Sequence, residues 1–300
     1  METLDFSVIG AKIKELRRIQ RITQKELAED ICTQAQISKL ENGEVIPCAS
    51  TLFLISQKLG IDVNYFFNIG LTPRLDYVEE VARQLKIARR NFRYREMEEI
   101  VEMEERNPLF YQNPEYLQLL IWHKGISLYH VHSDFERSLA TLDEALSLTN
   151  KKVWTEQEME ILLSKGIVCF ENNLLDGAIQ IYEMVYKEME TLPDFRDYIV
   201  KVKLLYNMAR TFTRKGIYAK SIELCMEGIE WSINKDNLFL VGELHYHIGY
   251  NFELQEDFYS AQDYMKKALL IFDLQKDHKY SDYINGKLMK WQEENLIKNT

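Results

Sequence analysis

The chain is poor in cysteine, proline and glycine, and each shortage excludes a class of protein. Its 300 residues include four cysteines, five prolines and twelve glycines. With so few helix breakers and abundant Leu, Glu, Lys and Tyr, the composition predicts an almost entirely helical, all-α chain. The cysteines form no CxxC pair and no Cys/His cluster, so we expect reduced packing residues rather than disulfides or a metal site. They are Cys32, Cys48, Cys169 and Cys225.

Long apolar runs and catalytic constellations are also missing. No stretch approaches the length of a transmembrane helix, and the first residues, METLDF, have no signal-peptide character. We therefore expect a cytoplasmic protein without a membrane partner. No Gly-rich phosphate loop is present, and His123, His130 and His132 have neither a nucleophile nor metal-ligand spacing beside them. We expect neither an enzyme nor a cofactor.

The charge is divided unequally along the chain. The net charge is −10, yet residues 1–70 carry eight Lys or Arg against nine Asp or Glu. Most of the acidity therefore belongs to residues 71–300. A local basic patch of the kind that contacts DNA phosphates occupies the first helix and the turn after it. Its members are Lys12, Lys14, Arg17, Arg18, Arg21 and Lys25, of which we assign Arg17, Arg18 and Lys25 to phosphates.

The stretch from Thr23 to Gly43 predicts two short helices joined by a tight turn. Thr23 precedes Glu26 by three residues, and Thr33 precedes Gln36 by three. Each pair is a capping box, in which the hydroxyl accepts from the N3 amide and the Glu or Gln side chain returns to the cap amide. The sequence therefore predicts a helix-turn-helix.

The outward face of the second helix contains small polar residues and no carboxylate. Gln pairs with adenine, Lys donates to guanine acceptors, and Ala contacts a thymine methyl, so this face suits a DNA major groove. The alternative is an ordinary solvated face on a helical hairpin. We assign base reading to Gln34, Ala35, Ser38 and Lys39.

The sequence TQKELAEDICTQAQISKLENG resembles the helix-turn-helix of the Xre/phage-repressor family. The match lies at both ends, in TQ-ELA and in ISKLENG, while the ICT turn is one residue short and lacks the usual glycine. The resemblance implies a five-helix repressor-type domain, which we place at residues 1–68, followed by a linker at 69–75. It also implies phosphate contacts at Gln24 and Asn42.

Residues 76–300 repeat with a period of 40–43 residues. Small residues recur within apolar helices at Ala82, Gly125, Gly166, Ala209 and Gly249. This pattern is similar to tetratricopeptide repeats with lengthened helices. It predicts a right-handed α-solenoid of about five helical hairpins with a concave inner surface, closed by a capping helix from Tyr280 to Ile297.

The first helix of each hairpin is expected to line that concave surface. An Asn beside Lys and Arg suits an extended peptide, because the amide holds the backbone and the cations hold a carboxylate. The alternative for the aromatic residues is packing between helices. Arg90 belongs to a basic cluster, between Arg83 and Arg95, that is either a binding site or a solvated face. The peptide-binding candidates are Lys203, Tyr206, Asn207, Arg210, Tyr246, His247, Tyr250, Trp122 and Arg90.

Taken over its whole length, the chain resembles the peptide-sensing regulators of the Rap/NprR/PlcR/PrgX group. The resemblance depends mainly on two segments, the helix-turn-helix sequence with its shortened turn and LLYNMAR around Asn207. The resemblance implies a homodimer that binds a palindromic double-stranded DNA operator and is switched by a short signalling peptide in the repeat groove. The alternatives are a peptide-independent regulator whose repeats dimerise, or one whose repeats bind a partner protein.

Overall fold

The computed structural model describes residues 5–72, 74–149, 154–191 and 198–294, and within these ranges every regular element is an α-helix. The all-α prediction is confirmed. The helices are α1 (Phe6–Ile19), α2 (Gln24–Ala28), α3 (Gln34–Glu41), α4 (Ala49–Leu59), α5 (Val63–Leu71), α6 (Leu75–Arg90), α7 (Tyr94–Glu104), α8 (Pro108–Tyr111), α9 (Pro114–His132), α10 (Phe135–Ser147), α11 (Glu156–Glu171), α12 (Leu175–Thr191), α13 (Tyr198–Arg214), α14 (Tyr218–Asn234), α15 (Val241–Leu254), α16 (Phe258–Gln275) and α17 (His278–Glu293).

The chain forms two compact units, Met1–Tyr116 and Leu117–Thr300. In the first unit, α1 to α5 surround one apolar core, to which Leu75 of α6 contributes. Helix α5 continues to Leu71, so its connection to α6 is shorter than the linker predicted at 69–75, and Pro73 lies outside the described residues. The predicted domain limits of 1–68 and 76–300 stay predictions. The core side chains include Ile9, Ile13, Leu27, Ile37, Leu52, Ile55 and Phe66.

Both predicted capping boxes are present at the helix-turn-helix. Thr23 caps α2 and Thr33 caps α3, each with the reciprocal bond from its N3 side chain. The turn between them lacks the usual glycine, and Asp30 takes the left-handed conformation instead, with φ of 64°. Short polar side chains tolerate that conformation better than most others do. The shortened turn therefore still forms.

A close approach between α1 and α3 makes Gly10 necessary. A Cβ atom at Gly10 would lie 2.1 Å from the carbonyl oxygen of Leu40, well inside van der Waals contact. Since the clash is with backbone, a side chain there could be accommodated only by moving α1 away from α3. This contact fixes the end of α3 against the domain core.

The repeats form antiparallel helical pairs, as the period predicts. Helices α6 and α7 pair in the first unit, and α11/α12, α13/α14 and α15/α16 pair in the second. Helix α10 contacts α9 through the hydrogen bond from Ser138 Oγ to the carbonyl oxygen of Gly125. The predicted small residues lie where helices touch. A Cβ atom at Gly125 would lie 2.9 Å from Leu142, and one at Gly166 would lie 2.2 Å from the ring of Tyr182. The closing helix is α17, whereas the end predicted for it, Ile297, lies outside the described residues.

The cysteines do not all behave as predicted. Cys169 and Cys225 are buried packing residues, and burial raises the pKa of both thiols. Cys48 is exposed at the start of α4, where hydrogen bonds with Ser50 and Thr51 lower the pKa of its thiol to about 7. The packing prediction is therefore wrong for Cys48, because the helix begins at its position and leaves its side chain in solvent. No helix among the described residues combines the length and apolarity needed to cross a membrane.

Candidate nucleic-acid and ligand interfaces

The exposed face of α3 carries the predicted base-reading residues. Gln34, Ala35 and Lys39 are exposed, and Ser38 is half-buried. The opposite face packs Ile37 into the domain core. The capping box at Thr33 satisfies orphan amides at the N-terminus of α3, which is the end that enters a major groove in proteins of this architecture. The predicted reading face is therefore available and rigidly supported.

A chain of hydrogen bonds fixes the orientation of Gln34. Its Nε2 donates to Gln24 Oε1 over 2.8 Å, and Gln24 Nε2 donates to Glu41 Oε2 over 2.8 Å. One amide hydrogen and the carbonyl oxygen of Gln34 are left for another partner. That pair is the donor and acceptor set needed for bidentate contact with adenine N7 and N6. Gln24 thus orients a residue that is predicted to read bases, a role that the sequence did not reveal.

Glu41 is the buried end of this series of hydrogen bonds. Its side chain is fully buried, and it accepts from Arg17 Nε at 2.5 Å and from Arg17 Nη2 at 2.9 Å. Burial by itself raises the pKa of a carboxyl, but the hydrogen bonds from Arg17 and Gln24 outweigh it and lower the pKa of Glu41. Glu41 is therefore a carboxylate that ties α1, α2 and α3 together.

The structure corrects the prediction for Arg17. Besides its two bonds to Glu41, its guanidinium donates to the carbonyl oxygen of Ile22 over 2.8 Å, and only 11% of its side chain is exposed. These bonds draw Arg17 into the interior rather than toward a phosphate. Arg18, Lys25 and Asn42 are exposed, in keeping with their predicted phosphate contacts.

In the second unit, cations on α13 lie beside carboxylates on α11. Lys203 Nζ lies 2.6 Å from Glu160 Oε1, and Arg210 Nη2 lies 3.6 Å from Glu171 Oε1. Asn207 lies between the two cations and is half-buried, and its Nδ2 donates to the carbonyl oxygen of Lys203 over 2.8 Å. We call the side chains of Glu160, Glu171, Lys203, Asn207 and Arg210 the groove face. A carboxylate ligand would compete there with Glu160 and Glu171 for the cations.

The structure also corrects the predictions for Trp122 and His247, which are buried. Trp122 is 4% exposed and donates to Ser164 Oγ over 2.9 Å, joining α9 to α11. His247 is 7% exposed, and its Nε2 lies 2.9 Å from Thr213 Oγ1. Burial lowers the pKa of His247 to about 4. Both side chains pack between hairpins, so they do not line an open groove.

The remaining aromatic candidates occupy intermediate positions. Burial raises the pKa of Tyr206 to about 12, and the ring of Tyr206 lies 5.9 Å from the guanidinium carbon of Arg210. Tyr246 and Tyr250 are half-buried and stack at 6.4 Å between ring centroids. Arg90 is exposed on α6, in the first unit, and its assignment to a peptide stays a prediction.

Sequence reasoning missed three charged residues at these sites, Glu41, Glu160 and Lys287. Glu41 is the last residue of α3 and is buried, and no role was predicted for it from the sequence. Glu160 precedes Lys203 by 43 residues, which matches the repeat period, so charged pairs at that spacing were a usable signal. Lys287 faces Tyr246 and Tyr250 from α17, and nothing in its local sequence singles it out.

Comparison with known proteins agrees with both halves of this description. The RNPP family C-terminal domain matches residues 82–291, and a helix-turn-helix family matches residues 13–66. No curated protein matches the chain.

Solved structures match nearly the whole chain. The chain is similar to Bacillus thuringiensis PlcR in complex with the peptide PapR7 and DNA, at 26% identity, with a TM-score of 0.84 over 93% of this chain and 99% of that one. Two further structures share the fold over 94% of this chain and 99% of theirs. They are the SHP pheromone receptor Rgg2 of Streptococcus dysgalactiae, at 18% identity and TM-score 0.61, and ComR from S. thermophilus with DNA and its signalling peptide ComS, at 16% and 0.60.

The RNPP match covers more than half of the chain, and the helix-turn-helix match covers the capped helices whose exposed face is described above. The chain therefore belongs to the RNPP family of peptide-sensing helix-turn-helix transcriptional regulators, and not to a class of enzymes.

Proposed function

We propose that this protein binds a two-fold-symmetric DNA operator in the cytoplasm as a homodimer, and that a short peptide bound at the groove face changes its affinity for DNA. The observation that carries the proposal is the outward face of α3, with Gln34 held by Gln24 and Lys39 exposed. The similarity to PlcR in complex with PapR7 and DNA supports both halves of the proposal.

The reading face suggests how sequence is recognised. Gln34 would pair with adenine and Lys39 with guanine acceptors, while Arg18, Lys25 and Asn42 would contact phosphates. A single helix of eight residues reaches only a few base pairs. Two copies in major grooves one helical turn apart, or a multiple of that distance, would supply the affinity that one lacks. This reasoning supports a homodimer on a palindromic site.

The groove face suggests how the switch is driven. Asn207 retains one amide hydrogen for a peptide carbonyl, and Lys203 and Arg210 are cations for a peptide carboxylate. A ligand shifts the conformational equilibrium only by its difference in affinity between two states. Because Lys203 and Arg210 bridge α13 to α11, a ligand that takes over these cations would change the contact between neighbouring hairpins.

The test is DNA binding with and without short peptides purified from the culture medium of the producing cells. Fragments upstream of the protein's own gene serve as DNA, at a fixed salt concentration. We expect a peptide-dependent change in Kd that is lost in Asn207→Ala and kept in Asn234→Ala, a matched change on the exposed end of α14. Tight binding that no peptide changes would instead support a regulator whose repeats dimerise or bind a partner protein.

The DNA half has its own test. Lys39→Ala should weaken binding by about 1–3 kcal/mol at sites that contain the contacted guanine and relax the preference at that position. Arg18→Ala should weaken binding on all sequences alike. Equal losses on every sequence for Lys39→Ala would contradict the assignment of α3 as the reading helix.

A further inference from the structure

The ammonium group of Lys287, on α17, lies within a cage of four aromatic rings. The distances from Nζ to the ring centroids are 5.5 Å for Tyr250, 5.7 Å for Tyr283 and Trp291, and 6.0 Å for Tyr246. An ammonium within about 6 Å of an aromatic centroid is attracted to the ring face. Four rings around one cation form a site of the kind that binds alkylammonium ligands.

A carboxylate completes this ammonium cage, which we define as Tyr246, Tyr250, Glu253, Tyr283 and Trp291. Glu253 Oε2 lies 2.5 Å from Lys287 Nζ, and the two side chains are 22% and 15% exposed. The partial burial of both charges strengthens their attraction relative to a pair in water. The cage thus offers both a negative charge and aromatic faces to one cation.

The rings are held in place by contacts that do not involve Lys287. Tyr246 and Tyr250 stack with 5° between their planes, and Tyr283 meets Tyr246 edge-on at 6.1 Å. Trp291 is 4% exposed and meets Phe258 edge-on at 5.4 Å. A cage built in this way would keep its shape when the cation leaves.

Helix α17 also does not depend on the ammonium for its packing. Ile284 and Leu288 of α17 lie in one apolar cluster with Met265 and Phe272 of α16. The charged end of Lys287 therefore occupies a site beside this cluster rather than inside it. One wall of the site, Tyr283, is 53% exposed, which gives a ligand a route from solvent.

We propose that the ammonium cage is a binding site for a primary ammonium group, occupied in this structure by the chain's own Lys287, and that the amino terminus or a lysine side chain of a ligand exchanges with it. Its use by a peptide rests on the proposed function. The existence of the site does not, because the tests below use neither peptide nor DNA.

The first test is chemical rescue of Lys287→Ala. The atoms removed from this side chain correspond to those of n-propylammonium, so the variant leaves a vacancy of that size. We expect its Tm to fall and to rise again with n-propylammonium chloride, following the logarithmic dependence on concentration of a ligand that binds one site on the folded chain. At about five times the half-saturating concentration, the rise should be about 2–4 °C. n-Propanol with matched sodium chloride should not reproduce it.

Three matched variants make the rescue specific. Lys287→Met fills the vacancy with an uncharged chain of similar length and should show no rescue. Lys290→Ala removes an exposed cation from the same helix and should respond to n-propylammonium no more than to n-propanol. Glu253→Gln combined with Lys287→Ala should weaken the rescue at least tenfold in half-saturating concentration. Rescue by n-propanol to the same extent, or rescue that Glu253→Gln leaves unchanged, would overturn the site.

The second test concerns exchange and the source of the ammonium. In the wild-type chain, n-propylammonium should raise Tm with the same logarithmic dependence but at a higher concentration, because Lys287 competes for the cage. A wild-type chain that does not respond would make Lys287 a fixed structural residue and overturn the exchange.

On Lys287→Ala, Nα-acetyl-lysine-N-methylamide presents a side-chain ammonium and alanine-N-methylamide presents an α-ammonium. The probe that rescues at the lower concentration identifies the preferred source, and failure of both would overturn ligand binding.

Discussion

Arg17 and Arg18 are neighbours in α1, yet replacing each by alanine should have different consequences. Arg17→Ala should destabilise the helix-turn-helix domain, whereas Arg18→Ala should leave it folded and reduce only its affinity for DNA. The reason is that the guanidinium of Arg17 is held by Glu41 and Ile22, while the side chain of Arg18 is exposed.

The loss of folding stability expected for Arg17→Ala follows from the burial of the Arg17–Glu41 ion pair. The Glu41 side chain is fully buried and that of Arg17 is 11% exposed. Removing one partner of a buried ion pair costs about 3–5 kcal/mol, because an uncompensated charge is left behind. Gln24 still donates to Glu41 in the variant, so we expect the lower end, about 3 kcal/mol.

The assay must report on the first unit. All four tryptophans, at positions 122, 154, 231 and 291, lie in the second unit, so tryptophan fluorescence would miss the change. Hydrogen exchange measured by mass spectrometry on peptides from residues 5–71 is suitable. A loss of 3 kcal/mol should speed exchange of the most protected amides by roughly a hundredfold in Arg17→Ala. Arg18→Ala should exchange at wild-type rates.

DNA binding supplies the second readout. Arg18→Ala should reduce the slope of log K against log salt by about 1, as expected for one lost phosphate contact. Wild-type exchange rates in Arg17→Ala would refute the structural role of the ion pair. A reduced salt slope in a fully folded Arg17→Ala variant would restore Arg17 to the phosphate-binding set.

Three further predictions concern pH and packing. The pKa of Glu41 is lower in the folded chain than its ordinary value of 4.5, so its stabilising effect is complete above that pH and is lost as the pH falls through the lower, folded value; the protection of residues 5–71 against exchange, relative to the unfolded chain at the same pH, should fall there in the wild type and much less in Glu41→Gln. The pKa of His247 is about 4 when folded against 6.5 unfolded, so the second unit should lose roughly 3 kcal/mol as the pH falls from 6.5 to 4, and acid titration of Tm should show this loss in the wild type but not in His247→Gln. Gly166→Ala should lower stability by about 1–3 kcal/mol because its methyl group would lie 2.2 Å from the Tyr182 ring, whereas Tyr182→Phe should be neutral or stabilising in urea denaturation, because the buried Tyr182 hydroxyl has no partner among the described residues.

Local sequence signals predicted the helical elements well, because their causes are local. The hydroxyl at Thr23 or Thr33 and the side chain three residues later suffice to start a helix. The small residues at Gly125 and Gly166 predicted helix contacts for a similar reason, since only a missing side chain permits so close an approach. Both kinds of signal can be read from a few residues.

The roles of individual side chains could not be predicted in the same way. Trp122 and His247 lie on first helices, where the repeat pattern places binding residues, but each is covered by a neighbouring hairpin through Ser164 or Thr213. Arg17 is a cation within a basic patch, as expected for a phosphate contact, but it forms an ion pair with the buried Glu41, which lies 24 residues away in the sequence. A polar side chain is available to a ligand only if no residue distant in sequence binds or covers it in the folded chain. Such long-range contacts are set by the tertiary packing and cannot be read from the local sequence.

The same pairing explains how a small ligand could act on the second unit. Lys203–Glu160 joins the first helices of two successive hairpins, α13 and α11, and Lys287–Glu253 joins the closing helix α17 to α15, the first helix of the last hairpin. The side chains of both pairs keep a minor part of their surface in contact with solvent, so a ligand group of matching charge can reach one partner and exchange with the other. Each exchange would remove one bond between hairpins and leave the apolar contacts in place. A peptide that carries both an ammonium and a carboxylate would loosen two such junctions at once, and its effect should therefore exceed that of either charged group alone.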